Sequence, residues 1–392
     1  MVWPHGFDDL RAAAKRRVPR FLFDYVDGGS FSEGTLARNV AAVHSVALRQ
    51  RVLNDVSQSD LSTSLFGQKL AMPLMLAPVG MAGMLRRRGE IQAVRAADAS
   101  GVPMVMSTVA LCSVDEVMAA TGIPFWFQLY VAKDRGFVMD LLARVKALGC
   151  PVLFMTVDLP MPGPRWRDQR SGLSGPPGLL GQWRRWTQVL AHPRWALDVG
   201  LGGRPHTLGN LAPIMKGNVR LNDFLSWSGR NFDPSVTWKD LEFIRSHWDG
   251  PLVLKGIMDP EDARRVADIG ADGLVVSNHG GRQLDGMIGT AEALPAIAQA
   301  VGERLTVLAD GGVRNGLDVL RMLALGAKGV MIGRAWAYAL AAGGEEGVRR
   351  MLAQFALELR SGLALTGCDS IADVGPHILA YSPEARRGPA PI

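Results

Sequence analysis

The feature that most constrains the fold is an alternation, from about residue 70 onward, of short apolar runs with amphipathic stretches. Eight runs have the length and apolar content of buried strands. They lie at 72–77, 103–107, 125–130, 151–157, 251–255, 273–277, 305–310 and 329–333. Strands joined by helical crossovers predict an α/β protein of the (β/α)8 TIM barrel type, and an open doubly wound sheet is the alternative.

The stretches between these runs carry helix signals. Residues 90–100, 113–121, 260–269 and 316–325 are amphipathic. The third of them begins with Asp259 as a candidate N-cap, Pro260 at the first helical position and acids in the first turn. These signals support helical crossovers between parallel strands.

The length of the chain fits a single barrel with additions. At 392 residues the chain exceeds the usual size of one core, but a barrel with insertions reaches this length as one domain. We predict one domain over 1–392, with an N-terminal helical cap at 1–70, the barrel at 71–345 and a C-terminal helix and tail at 346–392. A long insert at 165–235, rich in Gly, Pro, Trp and Arg, follows the fourth strand. Loops of that size are usually functional or mobile.

Composition excludes several classes of protein. The three cysteines are odd in number and widely spaced, so we expect no disulfide framework, no metal site and a reducing compartment. Residues 1–20 are polar and basic, unlike a signal peptide. No run approaches the roughly 18 apolar residues that a membrane-spanning helix needs. A net charge of +6 is too small to indicate a nucleic-acid partner.

Polar residues cluster where the predicted strands end, which is where barrel enzymes build their active sites. A single buried lysine or aspartate is usually half of a structural ion pair, but five of eight strands that end in hydrogen-bonding or ionisable groups predict a polar active site. The residues, in chain order, are Ala77-Pro78-Val79-Gly80, Ser107, Gln128, Tyr130, Thr156, Asp158, Lys255, Ser277 and His279.

The most informative motif is Ser277-Asn278-His279-Gly280-Gly281-Arg282-Gln283, directly after the sixth strand. An imidazole takes a proton near neutral pH, and a guanidinium three residues later grips a carboxylate with two parallel hydrogen bonds. The pair indicates proton removal from a small carboxylic acid. The alternative is a glycine-rich surface turn with a solvated His and Arg.

The last two strands end differently, in glycines followed by arginines. Asp310-Gly311-Gly312-Val313-Arg314 follows the seventh strand, and Gly333-Arg334 follows the eighth. Exposed backbone N–H groups and a helix N-terminus at this part of a barrel often bind phosphate. We therefore predict a phosphorylated cofactor or substrate; the alternative is two tight turns with surface arginines.

With these motifs, the chain resembles the FMN-dependent L-2-hydroxy-acid oxidases and dehydrogenases from about residue 5 to about residue 375. Within that family it is most similar to the quinone-linked enzymes with which bacteria oxidise L-lactate in respiration. The matching motifs are FDYVDGG (23–29), APVG (77–80), FQLYV (127–131), TVDLPMPGPRWRD (156–168), LKG (254–256), SNHGGRQLDG (277–286), ADGGVRNG (309–316) and IGR (332–334).

The resemblance implies a role for each candidate residue. His279 would be the base and Asp158 its orienting partner, and Lys255 would stabilise negative charge on the reduced flavin. The substrate would be held by Tyr25, Tyr130, Arg165 and Arg282. The flavin ring would be held by Ala77, Pro78, Val79, Ser107, Gln128, Thr156 and Ser277, and the ribityl phosphate by Asp310, Gly312, Arg314, Gly333 and Arg334.

The implied activity is oxidation of L-lactate or a similar L-2-hydroxy acid to the 2-oxo acid, with FMN as cofactor and a quinone as acceptor. One alternative is a soluble oxidase that reduces O2 to hydrogen peroxide, and another is a non-catalytic barrel that binds a phosphorylated ligand. The resemblance further implies a homotetramer.

The insert contains a candidate amphipathic helix at 179–190, with Leu179, Trp183, Trp186 and Leu190 on one stripe. Tryptophan and arginine on such a helix suit a membrane interface, but a lid packed onto the barrel would show the same periodicity. The resemblance favours attachment of residues 174–205 to the cytoplasmic face of the inner membrane.

Overall fold

The computed structural model describes residues 3–174, 179–215 and 231–381. Residues 175–178 and 216–230 of the predicted insert, and 382–392 of the predicted tail, lie outside the described residues. The ten described strands are β1 (Thr63–Leu65), β2 (Gln68–Leu70), β3 (Leu74–Leu76), β4 (Val105–Ser107), β5 (Trp126–Leu129), β6 (Leu153–Thr156), β7 (Leu252–Ile257), β8 (Gly273–Val276), β9 (Thr306–Ala309) and β10 (Gly329–Ile332).

Strands β3 to β10 form the predicted barrel. All eight are parallel, in the order β3-β10-β9-β8-β7-β6-β5-β4. The two ends of this order meet through a parallel bridge between Leu76 and Met104, which closes the sheet. The TIM barrel is therefore confirmed, and the open doubly wound sheet is wrong.

The described helices follow the strands as crossovers or belong to the additions. They are α1 (Phe7–Arg17), α2 (Arg20–Asp27), α3 (Gly34–His44), α4 (Gly89–Asp98), α5 (Val114–Thr121), α6 (Arg135–Ala147), α7 (Trp166–Ser171), α8 (Leu179–Leu190), α9 (Pro193–Trp195), α10 (Trp238–His247), α11 (Pro260–Asp268), α12 (Thr290–Val301), α13 (Gly316–Ala324) and α14 (Arg334–Thr366). Short 3-10 turns lie at Ala82–Met84, Ile371–Asp373 and Pro376–Ile378, and a π-helical turn lies at Ala196–Leu201. The Asp259 cap is present: its side chain accepts a hydrogen bond from the Glu261 N–H at 2.7 Å.

Two apolar layers follow from the alternation of side chains along each strand. Inward-facing residues such as Met75, Trp126 and Phe154 fill the barrel, and outward-facing residues such as Leu254 pack under the helices. Both layers are almost fully buried, which explains why the strands appear in the sequence as continuous apolar runs rather than alternating ones. The filled interior leaves only the carboxyl ends of the strands for chemistry.

The sequence predicts a helical N-terminal addition, but the structure also contains a β-hairpin there. Strands β1 and β2 form an antiparallel hairpin whose Leu65, Phe66 and Leu70 pack against the inner layer. Because β2 ends four residues before β3 begins, the hairpin plugs the amino end of the barrel, and Gln68 accepts a hydrogen bond from Trp126 Nε1 at 3.0 Å. Residues 63–70 of the predicted cap thus lie at the amino end of the barrel, and the bounds of the cap stay a prediction.

The C-terminal helix α14 runs from Arg334 to Thr366 and breaks at Gly344, where φ is +64°. The break lies one residue before the predicted end of the barrel region, although the division into cap, barrel and tail stays a prediction. Within the described ranges, we find no helix that combines the length and hydropathy needed to cross a bilayer.

Candidate active site

A cavity opens at the carboxyl ends of the barrel strands, with an empty volume of about 1210 Å³ including its open mouth. Most of the predicted site residues line it: Tyr25, Ala77, Pro78, Val79, Tyr130, Thr156, Arg165, Lys255, His279, Arg282, Asp310, Gly312, Arg314, Gly333 and Arg334. The remaining four are not lining residues: Ser107, Gln128 and Ser277 are buried, and Asp158 contacts the lining residue His279. The wall therefore combines residues from the barrel, the N-terminal cap and the insert.

His279 and Asp158 form a hydrogen-bonded pair on one wall. Asp158 Oδ1 lies 2.8 Å from His279 Nδ1, so the carboxylate accepts from Nδ1–H and leaves Nε2 directed towards the cavity. The backbone of His279 has φ +58°, a conformation that costs a non-glycine residue on the order of 1 kcal/mol or more. Such strain at the end of a strand is typical of functional sites, and here it aims the imidazole.

Glycine at position 256 makes this pair possible. Gly256 at the end of β7 has φ +114°, and a Cβ there would lie 2.6 Å from the Cβ of Asp158. No side chain fits in that space. The small residue thus lets Asp158 approach the strand and reach His279.

The surroundings of the pair favour a neutral imidazole. Removal of water lowers the pKa of His279 below its ordinary value of 6.5, although the charge and hydrogen bond of Asp158 oppose this, and Lys255 and Arg165 lower it further. Burial alone would raise the pKa of Asp158, but the attraction of His279 and Lys255 outweighs it and lowers that pKa. A neutral imidazole held by an ionised carboxylate is arranged to accept a proton.

Two arginines face the same space without a carboxylate partner. Arg282 Nη1 donates to the carbonyls of Tyr25 at 2.6 Å and Gly28 at 2.9 Å, and its guanidinium lies 5.1 Å from the centre of the Tyr25 ring. Arg165 is the N-cap residue of α7, and its buried Nε has no hydrogen-bond partner. Burial and the neighbouring Arg282 lower the pKa of Arg165 to about 10. Neither arginine forms a salt bridge within the described residues, so the pair is suited to a bound carboxylate.

Two tyrosines complete this part of the site: Tyr25, whose ring lies against Arg282, and Tyr130. Tyr130 Oη lies 3.4 Å from His279 Nε2, and burial raises the pKa of Tyr130, so it stays a neutral donor. The Tyr130 ring packs against Phe232 at 5.0 Å between centroids. Three apolar lining residues, Leu159, Pro162 and Phe232, were not found from the sequence, because they lie in irregular segments without periodicity.

Three buried polar groups at the carboxyl ends of the strands, which form the floor of the cavity, lack partners within the described residues. Gln128 Nε2, Thr156 Oγ1 and Asp310 Oδ1 are buried and have no hydrogen-bond partner within the described structure. Leaving such groups unsatisfied costs about 1–3 kcal/mol each, so a bound polar ligand is expected to satisfy them. The pyrimidine edge of a flavin carries both N–H donors and carbonyl acceptors, and Gln128 and Thr156 therefore fit it.

Lys255 supplies a fixed positive charge on this floor. Its Nζ donates to Ser277 Oγ at 2.7 Å and lies 3.0 Å from Asp310 Oδ2. Burial would lower the pKa of Lys255, but the charges of Asp310 and Asp158 outweigh it and raise that pKa. The lysine is therefore charged, and Ser277 both fixes it and accepts from the His279 N–H at 3.1 Å.

Two glycines and two arginines line the opposite end of the cavity, where the sequence predicts a phosphate. Gly311 and Gly312 have φ of +91° and +82°, and a Cβ on Gly312 would lie 2.2 Å from the Asn39 carbonyl. Burial and the charge of Arg282 lower the pKa of Arg334, at the start of α14, to about 9. Burial likewise lowers the pKa of Arg314, which lies 4.3 Å from the Phe7 ring centre. Both arginines are half-buried cavity residues without a salt bridge in the described chain, so the alternative of surface arginines in tight turns is wrong.

The carbonyls of residues 26–28 join the two halves of the site, which sequence reasoning did not find. Arg334 donates to Val26 at 3.0 Å, to Gly28 at 2.8 Å and to Gly280 at 3.0 Å. The Gly28 carbonyl therefore accepts from both Arg334 and Arg282. Backbone acceptors leave no pattern in side-chain types, so no sequence signal could have located them.

The insert helix α8 places its apolar stripe in solvent. Trp183, Trp186 and Leu190 are 69%, 64% and 74% exposed, and Leu197 and Leu201 beyond the helix are exposed as well. The side chain of Leu179, the fourth member of the predicted stripe, lies outside the described residues. The alternative of a lid that packs this stripe onto the barrel is therefore wrong.

Comparison with known proteins identifies the same chemistry. A family model described as FMN-dependent dehydrogenase matches residues 14–381. An L-lactate dehydrogenase of Caulobacter vibrioides is 60% identical over 372 residues, which cover 95% of this chain and 96% of that protein. An L-lactate dehydrogenase of Acinetobacter baylyi is 56% identical, with coverages of 95% and 96%.

Solved structures share the fold over nearly the whole chain. The monotopic membrane protein (S)-mandelate dehydrogenase has a TM-score of 0.88 at 32% identity, covering 96% of this chain and 98% of that one. A mandelate oxidase has a TM-score of 0.81 at 37% identity, with coverages of 94% and 96%.

Proposed function

The chain belongs to the family of FMN-dependent dehydrogenases, and we propose that it oxidises L-lactate to pyruvate and passes the electrons to a quinone at a membrane surface. Its cofactor is FMN, and the enzyme acts on the CH–OH group of a 2-hydroxy acid. One observation carries the proposed chemistry. The neutral His279, held by Asp158, lies in the same cavity as two arginines that have no carboxylate partner within the described chain.

One group of residues binds the substrate, and another accepts its proton. Arg165 and Arg282 bind the substrate carboxylate from two sides, and Tyr25 donates to it. This fixes the α-carbon and its hydroxyl near His279, so that Nε2 accepts a proton from the substrate. Asp158 keeps the proton of Nδ1 in place and stabilises the imidazolium that forms, while Tyr130 donates to the substrate oxygen.

Bound FMN would supply a two-electron acceptor for the substrate carbon. Gln128 and Thr156 would hold its polar ring edge, and Asp310, Arg314, Arg334 and the glycines at 312 and 333 its ribityl chain and phosphate. Lys255 is placed to stabilise negative charge near that ring edge, because its charge is fixed by Asp310 and Ser277 before any substrate arrives.

The limited space beside Gly80 in the cavity favours a small hydroxy acid. A Cβ on Gly80 would lie 2.6 Å from Val109 Cγ2 and 3.0 Å from Tyr25 Oη, so this part of the wall is already filled. The relatives named L-lactate dehydrogenase act, by their name, on a substrate with one methyl group beyond the α-carbon. We therefore assign L-lactate ahead of larger hydroxy acids.

Attachment to a membrane is supported by the exposed stripe of α8. Exposed tryptophans together with Arg184 and Arg194 suit the interface of an anionic bilayer, where each basic residue contributes about 1 kcal/mol. A solved relative is described as a monotopic membrane protein. We assign residues 174–205 as the attachment segment, the cytoplasmic face of the inner membrane as the location and a homotetramer as the assembly.

The decisive experiment is anaerobic mixing of the purified yellow protein with L-lactate. We expect the flavin absorbance to bleach and one equivalent of pyruvate to form for each flavin. Oxidised flavin that persists in excess L-lactate would exclude the proposed substrate. Re-oxidation by a soluble quinone analogue, compared with peroxide release in air, then separates the dehydrogenase from the soluble oxidase, for which the comparisons give less support.

A further inference from the structure

Gln188 lies on α8, away from the exposed tryptophans, and both ends of its carboxamide are engaged. Its Oε1 accepts from the Phe21 N–H at 2.9 Å, and its Nε2 donates to the Ser171 carbonyl at 3.0 Å. The side chain is half-buried and does not line the cavity. It therefore contacts neither substrate nor cofactor directly.

Both partners of Gln188 are backbone groups that a helix leaves unsatisfied. Phe21 is the second residue of α2, whose N-cap residue Pro19 makes no side-chain capping bond. Ser171 is the last residue of α7. The first N–H groups and the last carbonyls of a helix have no partner within it, so one carboxamide caps two helices at once. With 8 and 6 residues, these helices are too short to be stable without such contacts.

The two capped helices carry the substrate ligands from outside the barrel. Tyr25 lies on α2, and Arg165 is the N-cap residue of α7. The Tyr25 carbonyl also accepts from Arg282, so a displaced α2 would move a second arginine of the carboxylate clamp.

The helix that carries Gln188 is itself anchored at its C-terminal end. His192 Nδ1 donates to the Gln188 carbonyl at 2.7 Å, and the buried Trp195 donates from Nε1 to the Met84 carbonyl at 2.8 Å. Trp195 also packs edge-to-face on Phe21, with 6.2 Å between ring centres. The segment that follows α8 is thus joined both to the barrel rim through Met84 and to α2 through Phe21.

We propose that Gln188 is a positioning residue through which the membrane-facing helix holds α2 and α7, and with them Tyr25 and Arg165, in the substrate-binding arrangement. The proposal rests on the proposed function, because it takes Tyr25 and Arg165 as ligands of the substrate carboxylate. It also makes the attachment segment a structural part of the active site rather than an independent anchor.

The test compares Gln188→Leu with Thr187→Val in the full-length, FMN-loaded enzyme, with L-lactate and a soluble dye as acceptor. Thr187 is the matched control, because within the described residues its exposed hydroxyl bonds only the Arg184 carbonyl of the same helix. We expect Gln188→Leu to raise KM for L-lactate about tenfold and to change kcat by less than about threefold, the size expected when one or two bonds that pre-organise a site are lost. Thr187→Val should leave both constants and the FMN content unchanged.

A double-mutant cycle with Tyr25→Phe distinguishes the positioning role of Gln188 from a purely structural one. If Gln188 acts through α2, its effect on KM should shrink to about threefold in the Tyr25→Phe background, because part of what it positions is already missing. A full tenfold effect in that background would overturn the proposal, as would an unchanged KM in folded Gln188→Leu.

If Gln188→Leu does not fold, Gln188→Glu tests the same proposal. It keeps the acceptor for the Phe21 N–H but loses the donor to Ser171, so we expect about a threefold rise in KM, and an unchanged KM overturns the proposal. If instead the wild-type enzyme is not reduced by L-lactate at all, the proposed function fails rather than this inference.

Discussion

Replacing Asp158 with asparagine removes one charge from the site and almost nothing else. The new side chain keeps the size of the old one, and its carbonyl oxygen can still accept from His279 Nδ1, which now lies 2.8 Å from Asp158 Oδ1. The Asp158 backbone carbonyl keeps its bond from Gln283 Nε2 at 2.9 Å. The variant therefore isolates the contribution of the carboxylate charge to proton transfer.

The expected loss of rate in Asp158→Asn follows from the distance between Asp158 and His279. Two unit charges about 4 Å apart interact by about 4 kcal/mol at an effective dielectric constant of about 20. The side chains of His279 and Asp158 are still 18% and 11% exposed, so water screens part of this attraction. We therefore expect the stabilisation of the imidazolium to fall by about 2–4 kcal/mol, which lowers the rate of flavin reduction about 30- to 1000-fold.

The assay is anaerobic stopped-flow reduction of the flavin by L-lactate across a pH series. The base must be neutral to act, so in the wild type kcat/KM should rise with pH through a pKa of His279 that burial holds below 6.5. Asp158 opposes that lowering, so its loss moves the acid limb of the profile to still lower pH. A rate within about threefold of the wild type, in a variant with full FMN content, would refute the electrostatic argument.

Three other variants test the phosphate end of the cavity, the packing behind Asp158 and the exposed surface of α8. Arg334→Met should weaken binding of FMN about 10- to 100-fold more than binding of riboflavin, because both ligands lose the bonds of Arg334 to the Val26, Gly28 and Gly280 carbonyls but only FMN loses the charge that faces its phosphate; fluorescence titration of the apoprotein measures both. Gly256→Ala should lower both kcat and Tm, since the added methyl lies 2.6 Å from the Cβ of Asp158 at a φ of +114°, and wild-type kinetics would contradict this packing. The double substitution of Trp183 and Trp186 by serine should reduce co-sedimentation with anionic vesicles at least about tenfold while turnover with a soluble dye persists, and unchanged sedimentation would disprove attachment through α8.

The barrel was predictable because its strands are buried on both faces and give continuous apolar runs. All eight predicted strands are present, with ends within about two residues of those expected, and helices α4, α5, α11 and α13 fill the predicted crossovers. The hairpin β1–β2 was missed because each strand has three residues and its turn is Phe66-Gly67, with φ of +51° and +75°. Turns of that shape favour Asn-Gly, and phenylalanine gives no such signal.

The site was predictable where residue type and strand end coincide. Lys255 lies in β7 near its carboxyl end, and Asp158 and His279 follow β6 and β8 by two and three residues, so the barrel geometry places them together; Lys255 and His279 line one cavity, and Asp158 bonds His279. The direction of the α8 stripe was not predictable, since periodicity shows that a helix has an apolar face but not what covers it. Gln188 left no signal either, because its bond to Phe21 spans 167 residues.

The shared carbonyl of Gly28 has a consequence for redesign of this scaffold. Loop exchange at the barrel rim is the usual route to new specificity in such enzymes, yet here one oxygen atom outside the barrel fixes the guanidinium groups at both ends of the pocket. A chimera that takes its rim loops from one parent must therefore inherit residues 20–28 from that same parent.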